Sequence, residues 1–393
     1  MTRYVIVGNG VAGTTAAQEI RKLDETGSIT ILSAEDVPFY YRIRLPEVVA
    51  NEVQEQKIIG KSREWFREHS MDLYLQTTVS KADADAKTLV TQKGEEIPYD
   101  KLLLANGGHS FIPPIPGSEL PGVFALRSMQ DARNIREWAE KSSRVVLIGG
   151  GVLGLEAGNG LRKLGKEVTV IEVLPRLLPM QLDVEAASRL QAMLEEMGFS
   201  FRLGTKTTNI TGKDFAEGVT LDDGQSLPAD LILVSAGVRP NLDLAKQLDL
   251  ERDKGIKVNE FLQTSRQDVY AAGDVTEYQG RVYGIWPAAE EQGRMAGRNM
   301  AGKQEAYTGT VMSNILKVVG INVASAGEID VDGEYESRIH TTNDLYRKLV
   351  LQDNKIIGCI MLGNTKGFQT VLKLMQEQKD VSDSIDSILT DVG

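Results

Sequence analysis

The stretch Tyr4–Gly13, which reads Tyr-Val-Ile-Val-Gly-Asn-Gly-Val-Ala-Gly, decides the fold of the N-terminal part of the chain. Its first four residues are rich in β-formers, as expected of a buried parallel strand. They lead directly into a G-x-G-x-x-G motif formed by Gly8, Gly10 and Gly13. Because an ordinary glycine-rich turn can show the same spacing, the elements on either side must decide what the motif does.

The residues that follow fit a nucleotide-binding unit. Thr14–Leu23 predicts a helix and Ile29–Leu32 predicts a second strand. In such a unit the glycines allow a tight turn, close approach of a pyrophosphate and close packing of helix on strand, while the helix N-terminus faces the phosphates. Glu35 would then accept hydrogen bonds from ribose hydroxyls. Asp36 is an alternative for this role, and a solvated loop acid is the alternative for either residue.

A second unit of the same kind follows. Val145–Ile148 predicts a strand, Gly149–Gly154 repeats the motif as Gly-Gly-Gly-Val-Leu-Gly, and Leu155–Leu164 has a helical pattern. The next predicted strand, Val168–Ile171, leads into Glu172. An acid at this place favours NADH over NADPH because it binds a free 2′-hydroxyl and repels a 2′-phosphate.

Two such units in one chain indicate two dinucleotides. FAD held by the first unit and NADH exchanging at the second form a pair between which hydride transfer is the natural reaction. We therefore expect FAD as the cofactor and NADH as a substrate. Arg176 could weaken the preference for NADH, although a solvated loop arginine explains that residue at least as well.

Composition excludes several other classes of protein. The 393 residues carry a net charge of −11, which argues against nucleic acid or an anionic membrane as the main partner. Neither a signal peptide nor a membrane span is visible in the sequence, so we expect a cytoplasmic protein. A single cysteine, Cys359, and three widely spaced histidines predict no internal disulfide and no metal site.

Four further segments carry a resemblance along nearly the whole chain. They are Tyr99–Gly107, Leu231–Asn241, Thr264–Asp274 and Trp286–Gly293. With the two glycine motifs, they resemble the pyridine nucleotide–disulfide oxidoreductase superfamily. The likeness is strongest to NADH:rubredoxin oxidoreductases and to the flavin module of assimilatory nitrite reductases.

The resemblance implies an α/β fold with two Rossmann-like domains and a small C-terminal α+β domain. We expect an FAD-binding domain at residues 1–112 and 239–309, with an NAD-binding domain at residues 113–238 inserted in it. The third domain would span residues 310–393, with a hairpin around a turn at Asp353 and Asn354 and a helix at Phe368–Gln378. Residues 381–393 would form a short amphipathic helix or a frayed tail.

The motifs and the resemblance together give the candidate site residues. Those expected to bind FAD are Gly8, Gly10, Val11, Ala12, Gly13, Glu35, Arg42, Ala105, Asn106, Gly107, Gly273, Asp274 and Trp286. Those expected to bind NAD are Gly149, Gly151, Val152, Leu153, Gly154, Glu172 and Gly237.

The alternatives for three residues stay open. The resemblance places Asp274 on the ribityl chain of FAD, but it could be an ordinary turn acid. Trp286 could lie beside the isoalloxazine ring or be an ordinary buried tryptophan. Glu156 corresponds to a residue near the nicotinamide, but it could equally be an acid stabilised by the helix dipole.

Missing cysteines decide the subclass. Disulfide reductases of this superfamily carry a cysteine pair in the region that reads Pro38–Glu47 here. NADH oxidases and peroxidases carry one cysteine there, whereas this chain has none in that region. Arg42 and Leu45 match the ferredoxin- and rubredoxin-reductase branch, whereas Ile43 replaces its usual proline and Glu47 replaces a lysine that many relatives have near the flavin. Electrons would therefore leave the flavin directly for a small one-electron carrier protein, such as rubredoxin.

Two alternatives from other classes remain, an NADH oxidase that reduces O2 and a non-catalytic flavin-binding redox sensor or regulatory subunit. The oligomeric state is not visible in the sequence. An acidic carrier would need a local basic patch on this acidic protein, which Arg42, Arg44, Arg347 and Lys348 could form. Scattered surface charges are the alternative for each of these four residues.

Overall fold

The computed structural model describes residues 1–390, with the side chains of 314–318 left out of the description. Within that range the strands are β1 (Arg3–Val7), β2 (Ser28–Leu32), β3 (Met71–Tyr74), β4 (Val79–Asp83), β5 (Thr88–Thr91), β6 (Glu96–Pro98), β7 (Lys101–Leu104), β8 (Gly108–Ser110), β9 (Val123–Phe124), β10 (Arg144–Ile148), β11 (Glu167–Glu172), β12 (Phe199–Leu203), β13 (Thr207–Thr211), β14 (Gly218–Leu221), β15 (Ser226–Pro228), β16 (Leu231–Val234), β17 (Val238–Pro240), β18 (Ile256–Val258), β19 (Val269–Ala271), β20 (Thr276–Tyr278), β21 (Ser313–Val318), β22 (Ile321–Gly327), β23 (Glu336–Thr341), β24 (Tyr346–Gln352) and β25 (Lys355–Gly363).

The α-helices of the same range are α1 (Val11–Leu23), α2 (Leu45–Val49), α3 (Arg63–Glu68), α4 (Met129–Ala139), α5 (Val152–Lys163), α6 (Val184–Glu196), α7 (Asp243–Gln247), α8 (Trp286–Met300), α9 (Phe368–Gln376) and α10 (Ile385–Thr390). Short 3₁₀ turns occupy Arg42–Arg44 and Glu55–Ile58. The predicted α/β class is confirmed.

Two parallel five-stranded sheets repeat one design. The first has the order β19-β7-β1-β2-β3 and the second has the order β12-β11-β10-β16-β9. In each, the helix after the central strand, α1 or α5, leads to the neighbouring parallel strand. The central strands are apolar and buried because helices or other chain segments cover both faces of a parallel sheet. The two glycine motifs therefore lie at equivalent places.

A two-stranded antiparallel pair, β8 with β17, joins the two halves of the molecule. Beside it, the amides of Asn106 and Asn241 each donate to the other residue's backbone carbonyl, at 3.0 and 2.7 Å. The chain thus leaves the first sheet and returns to it along neighbouring paths. This arrangement supports the expected limits of the first two domains, which stay predictions.

Helix α8 returns to the first sheet and packs closely on α1. A Cβ atom at Gly293 or Gly297 would lie less than 3.0 Å from the backbone of Ala12 or Ala16, respectively. Only glycine permits this approach, which brings the start of α8 and the loop before it to the N-terminus of α1. Gly273 and Asp274, which are expected to bind FAD, thereby lie next to the first glycine motif.

The C-terminal sheet has the order β21-β22-β25-β24-β23. Its predicted hairpin turns at Asp353 and Asn354, whose φ angles of 50° and 58° suit a tight turn. One face of the sheet packs on α9, and the other contributes to a core shared with the second parallel domain. The helix α10 covers part of the C-terminal segment whose structure the sequence left open, and residues 391–393 lie outside the described range.

The described residues contain neither a membrane-spanning helix nor a recognisable metal site. No helix there is both long enough and apolar enough to cross a membrane. Within the same residues, no group of three or more His, Cys, Asp or Glu side chains is arranged to hold a metal ion.

Cys359 lies on β25 and is buried between that sheet and α9. Burial raises the pKa of its thiol to about 12, so the thiolate needed for redox chemistry does not form near neutral pH. We expect Cys359→Ser to keep NADH-dependent turnover within a few-fold of wild type, measured per bound flavin. Loss of turnover in a folded, flavin-containing variant would show that this thiol takes part in the reaction.

Candidate functional site

The first glycine loop has the shape that a pyrophosphate needs. Gly8 has a φ of 109°, and a Cβ atom there would lie less than 3.0 Å from the carbonyl of Ala105. A Cβ atom at Gly13 would overlap Gly8 in the same way, whereas one at Gly10 would meet nothing within 4 Å. Among the described residues no side chain caps α1, which begins at Val11. The backbone N–H groups at this helix end are therefore available to phosphate oxygens.

The second glycine loop repeats this arrangement. Gly149 has a φ of 106°, and a Cβ atom there would lie less than 3.0 Å from the carbonyl of Ser235. Gly154 approaches the side chain of Ser235 as closely, while a Cβ atom at Gly151 would have no neighbour nearer than 3.9 Å. Within residues 1–390 no side chain caps α5. Its first turn, which contains Val152 and Leu153, can receive a second pyrophosphate.

Glu172 is held in place by backbone groups around the second loop. Its Oε2 accepts a hydrogen bond from the N–H of Gly150 at 2.7 Å, and its Oε1 accepts one from Leu174 at 2.8 Å. The residue is 8% exposed. A carboxylate can accept further hydrogen bonds, so two ribose hydroxyls could still bind to it. Gly237, which has a φ of 99°, ends the connection between β16 and β17; β16 pairs with β10 in the second sheet.

The first domain differs from the second at the place equivalent to Glu172. Gly8 donates its N–H to Leu32 as Gly149 does to Ile171, so Ser33 rather than Glu35 occupies the equivalent position. The Ser33 hydroxyl donates to the side chain of Asn9 at 2.8 Å. Glu35 follows two residues later, and its role toward ribose stays a prediction.

Glu35 and Arg42 form one end of a polar chain. The carboxylate of Glu35 pairs with Arg42 at 2.6 Å and accepts a hydrogen bond from the hydroxyl of Tyr40 at 2.7 Å. Arg42 in turn donates to the backbone carbonyl of Arg127. Asp36, the alternative acid, instead pairs with Arg133 on α4.

Arg127 connects Glu35 and Arg42 to Asp274, which is also expected to bind FAD. Its guanidinium pairs with Asp274 at 2.7 Å and also donates to the carbonyl of Gly108 at 3.1 Å. Asp274 follows Gly273, where a Cβ atom would lie 3.0 Å from the Cβ of Ala12. Three predicted residues, Glu35, Arg42 and Asp274, are thus brought together through an arginine that sequence reasoning missed. The available signal was weak, since Arg127 stands two residues before a helix in a segment assigned to the other domain.

An unpaired acceptor supports the presence of a ligand at this place. The side-chain Oδ1 of Asn106 is buried and has no hydrogen-bond partner among the described residues. Buried polar groups are rarely left unpaired, because each costs about 1–3 kcal/mol. Asn106 lies between Ala105, which faces Gly8, and Gly107, whose φ of 61° turns the chain. Hydroxyl or N–H donors of FAD are suitable partners, so the residues present fit this cofactor.

Trp286 belongs to an aromatic cluster at the start of α8. Its ring stacks on Tyr41 with centroids 5.8 Å apart, and Phe39 lies 6.1 Å away at a steeper angle. The two segments expected to flank a flavin ring therefore meet in the structure. Whether Trp286 touches the flavin stays a prediction.

Glu156 lies just after the first turn of α5, against the C-terminal domain. Its Oε1 accepts a hydrogen bond from the backbone N–H of Val319 at 2.9 Å. Burial raises the pKa of this carboxyl, and the negative charges of Glu47 and Glu52 act in the same direction. Glu47 itself pairs with Arg44 at 2.6 Å. A place for Glu156 near the nicotinamide stays a prediction.

The basic patch proposed from the sequence does not form. Arg347 and Lys348 are 1% and 5% exposed, because the strand β24 that carries them is covered on both faces. Arg42 and Arg44 are each paired with a glutamate. The four cations therefore do not make a common surface for an acidic carrier protein.

Glu172 provides a test of cofactor choice. Glu172→Ser removes the carboxylate that we expect to accept the ribose hydroxyls of NADH and to repel a 2′-phosphate. We expect the ratio of kcat/KM for NADH to that for NADPH to fall roughly 10- to 100-fold, because a hydrogen bond to a charged group contributes about 1.5–3 kcal/mol. Glu167→Ser, an exposed change at the other end of the same strand β11, is the matched control and should leave the ratio unchanged. A wild-type preference for NADPH would contradict this assignment.

Comparison with known proteins agrees with this geometry. Residues 2–293 match the family model described as pyridine nucleotide-disulphide oxidoreductase, and residues 313–379 match that of the rubredoxin NAD+ reductase C-terminal domain. The chain is 36% identical over 386 residues to a nitrite reductase [NAD(P)H] of Bacillus subtilis, covering 97% of this chain and 48% of that protein. It therefore spans about half the length of this curated relative.

A second relative matches from end to end. The chain is 29% identical to the NADH-rubredoxin oxidoreductase of Clostridium acetobutylicum over 393 residues, covering 100% of this chain and 99% of that protein. The crystal structure of NADH:rubredoxin oxidoreductase from that organism superposes with a TM-score of 0.83 at 28% identity, covering 99% of each chain. On the evidence of its two glycine loops and these matches, the chain belongs to the pyridine nucleotide-disulphide oxidoreductase family.

Proposed function

We propose that this chain is an FAD-dependent NADH oxidoreductase that passes electrons to a small one-electron carrier protein, with rubredoxin as the first candidate. The observation that carries the proposal is the pair of equivalent glycine loops, of which only the second has a buried acid, Glu172, at the ribose position. FAD, when bound, would accept a hydride from NADH and release the electrons singly.

The residues of the chain have distinct parts in this proposal. The N-terminus of α1 would hold the pyrophosphate of FAD, Asp274 would accept from its ribityl hydroxyls, and Asn106 Oδ1 would accept one of its donors. Asp274 can do so while paired with Arg127, because a carboxylate has several acceptor sites. The second loop and Glu172 would fix NADH, so that positioning rather than side-chain chemistry provides most of the rate.

The choice of acceptor rests on two supports. The chain has a single cysteine, and it is buried in the C-terminal domain, which disfavours a protein thiol as the exit for electrons. The match to an NADH-rubredoxin oxidoreductase extends over the whole chain and includes the C-terminal domain.

Mixing experiments distinguish the possible acceptors. The flavin would first be reduced anaerobically with NADH, then mixed with oxidised rubredoxin, with ferredoxin or with O2 in separate stopped-flow runs. We expect rubredoxin to reoxidise the flavin fastest. Its reduction is measured from the change in the absorbance of rubredoxin itself. Fast reoxidation by O2 with no reduction of rubredoxin would instead favour an NADH oxidase.

A further inference from the structure

The loop between Glu172 and Asp183 covers the second glycine loop. Leu178 donates its N–H to the carbonyl of Gly150 at 3.4 Å, and a Cβ atom at Gly150 would lie less than 3.0 Å from Leu177. Leu174 of the same segment holds Oε1 of Glu172. This loop, residues 173–182, therefore contributes one of the two hydrogen bonds that orient the Glu172 carboxylate, and it packs on Gly150, which contributes the other.

Asp183 fixes the far end of this loop. Its Oδ1 accepts the N–H of Ala186 at 3.0 Å and so caps α6, the helix that begins there. Its Oδ2 accepts the hydroxyl of Tyr346 at 2.7 Å and lies 3.3 Å from Nζ of Lys348. Tyr346 and Lys348 belong to β24 of the C-terminal domain, so one carboxylate ties the loop to that domain.

The other contacts of Lys348 hold its ammonium group beside Asp183. Its ammonium donates to the carbonyls of Ile329 and Asp330, at 3.0 and 2.9 Å, besides facing Asp183. The side chains of Lys348, Asp183 and Asp330 are between 3% and 10% exposed. Burial, reinforced by Asp183, raises the pKa of Tyr346, so its hydroxyl remains a donor. A buried charge that loses its partner is costly, which makes this arrangement specific in geometry.

The C-terminal domain also contacts α5, the helix that follows the second glycine loop. Val319, between β21 and β22, donates its N–H to Glu156, just after the first turn of α5. The helix after the glycine motif and the loop after Glu172 are thus both contacted by the C-terminal domain.

We propose that the C-terminal domain positions the NADH site, and that the cluster of Asp183, Tyr346 and Lys348 transmits this effect to Glu172 through residues 173–182. The inference rests on the proposed function of the second glycine loop. Asp183, Tyr346 and Lys348 are positioning residues, since none of them borders the open space at Gly151.

Two variants of the full-length, FAD-loaded protein test the proposal. Tyr346→Phe removes only the hydroxyl that Asp183 accepts. Asp183→Ser keeps a side chain that caps α6 but removes the carboxylate. The control Tyr335→Phe removes a hydroxyl from a 37%-exposed tyrosine of the same domain, outside the cluster. Binding would be measured by titration with NAD+, and flavin reduction by anaerobic stopped flow at varied NADH.

We expect each cluster variant to bind NAD+ and NADH about tenfold more weakly, because residues 173–182 would then be held less firmly and part of the lost hydrogen-bond energy would be needed to order them on binding. The rate of flavin reduction at saturating NADH should stay within about twofold of wild type, because the reacting atoms are untouched. The double variant should bind NADH no more weakly than Asp183→Ser alone, since that change already removes the hydrogen bond that Tyr346→Phe removes. Tyr335→Phe should match wild type.

The outcomes separate the inference from the function on which it rests. Unchanged affinity in both variants, each folded and with full flavin content, would overturn the positioning role and leave the NADH assignment intact. A loss of flavin or thermal stability without a change in affinity per bound flavin would show a merely structural cluster and would also overturn it. A wild-type protein that binds neither NAD+ nor NADH would overturn the proposed function as well.

Discussion

Replacing Gly8 with alanine should give a folded protein that no longer retains FAD. At the observed φ of 109° a non-glycine residue raises the energy of the folded backbone by about 1–2 kcal/mol. The new Cβ atom would also overlap the carbonyl of Ala105. The carbonyl oxygen and carbon of Ala105 belong to the backbone and cannot rotate away, so the end of β7 or the glycine loop must move. That movement would displace the N–H groups of α1 from the phosphates.

We expect the dissociation constant of FAD to rise roughly 100-fold or more, equivalent to about 2.8 kcal/mol. The measurements are the flavin-to-protein ratio after desalting and a fluorescence titration of the apoprotein with FAD. Gly94→Ala is the matched control, because Gly94 has a similar positive φ of 83° but no atom within 4 Å of its Cβ position. Full flavin retention in Gly8→Ala would show that the first loop does not hold the pyrophosphate.

Replacing Gly149 with alanine should impair the use of NADH and leave FAD binding intact. The variant should keep its yellow colour but lose reduction by NADH, because the clash with the carbonyl of Ser235 distorts only the second loop. We expect kcat/KM for NADH to fall roughly 100-fold or more on the same energetic argument. Gly165→Ala is the control in this domain, with a φ of 80° and open space around the Cβ position.

The two glycine variants together assign one nucleotide to each loop. Flavin content is measured by absorbance after denaturation, and reduction by anaerobic stopped flow per bound flavin. If Gly149→Ala lost its flavin while Gly8→Ala kept it, the assignment of FAD to the first loop and NADH to the second would be reversed.

The elements around the glycine motifs were predictable from the sequence because local rules dictate them. Tyr4–Val7 and Val145–Ile148 are apolar runs that end at glycines with obligatory positive φ, and both are strands in the structure. The hairpin at Asp353 and Asn354 was predictable for the same kind of reason, since its turn residues tolerate positive φ.

Tertiary contacts decided what the sequence could not show. Arg127 pairs with Asp274 from a segment far away in the chain, and no local pattern marks it as part of the FAD site. Ser33 rather than Glu35 occupies the place equivalent to Glu172, which becomes visible only when the two strand registers are compared. The burial of Lys348 brings it against Asp183, the N-cap residue of α6, and a charged residue within a strand gives no sign of that contact.

Anaerobic reduction of the bound flavin by NADH tests the central claim most directly. The full-length protein with FAD bound is mixed with increasing NADH, and the flavin absorbance is followed in a stopped-flow instrument. The proposed function predicts complete bleaching with a rate that saturates in NADH, and much weaker reduction by equal concentrations of NADPH. Flavin that stays oxidised at saturating NADH would contradict the assignment of this chain as an NADH oxidoreductase.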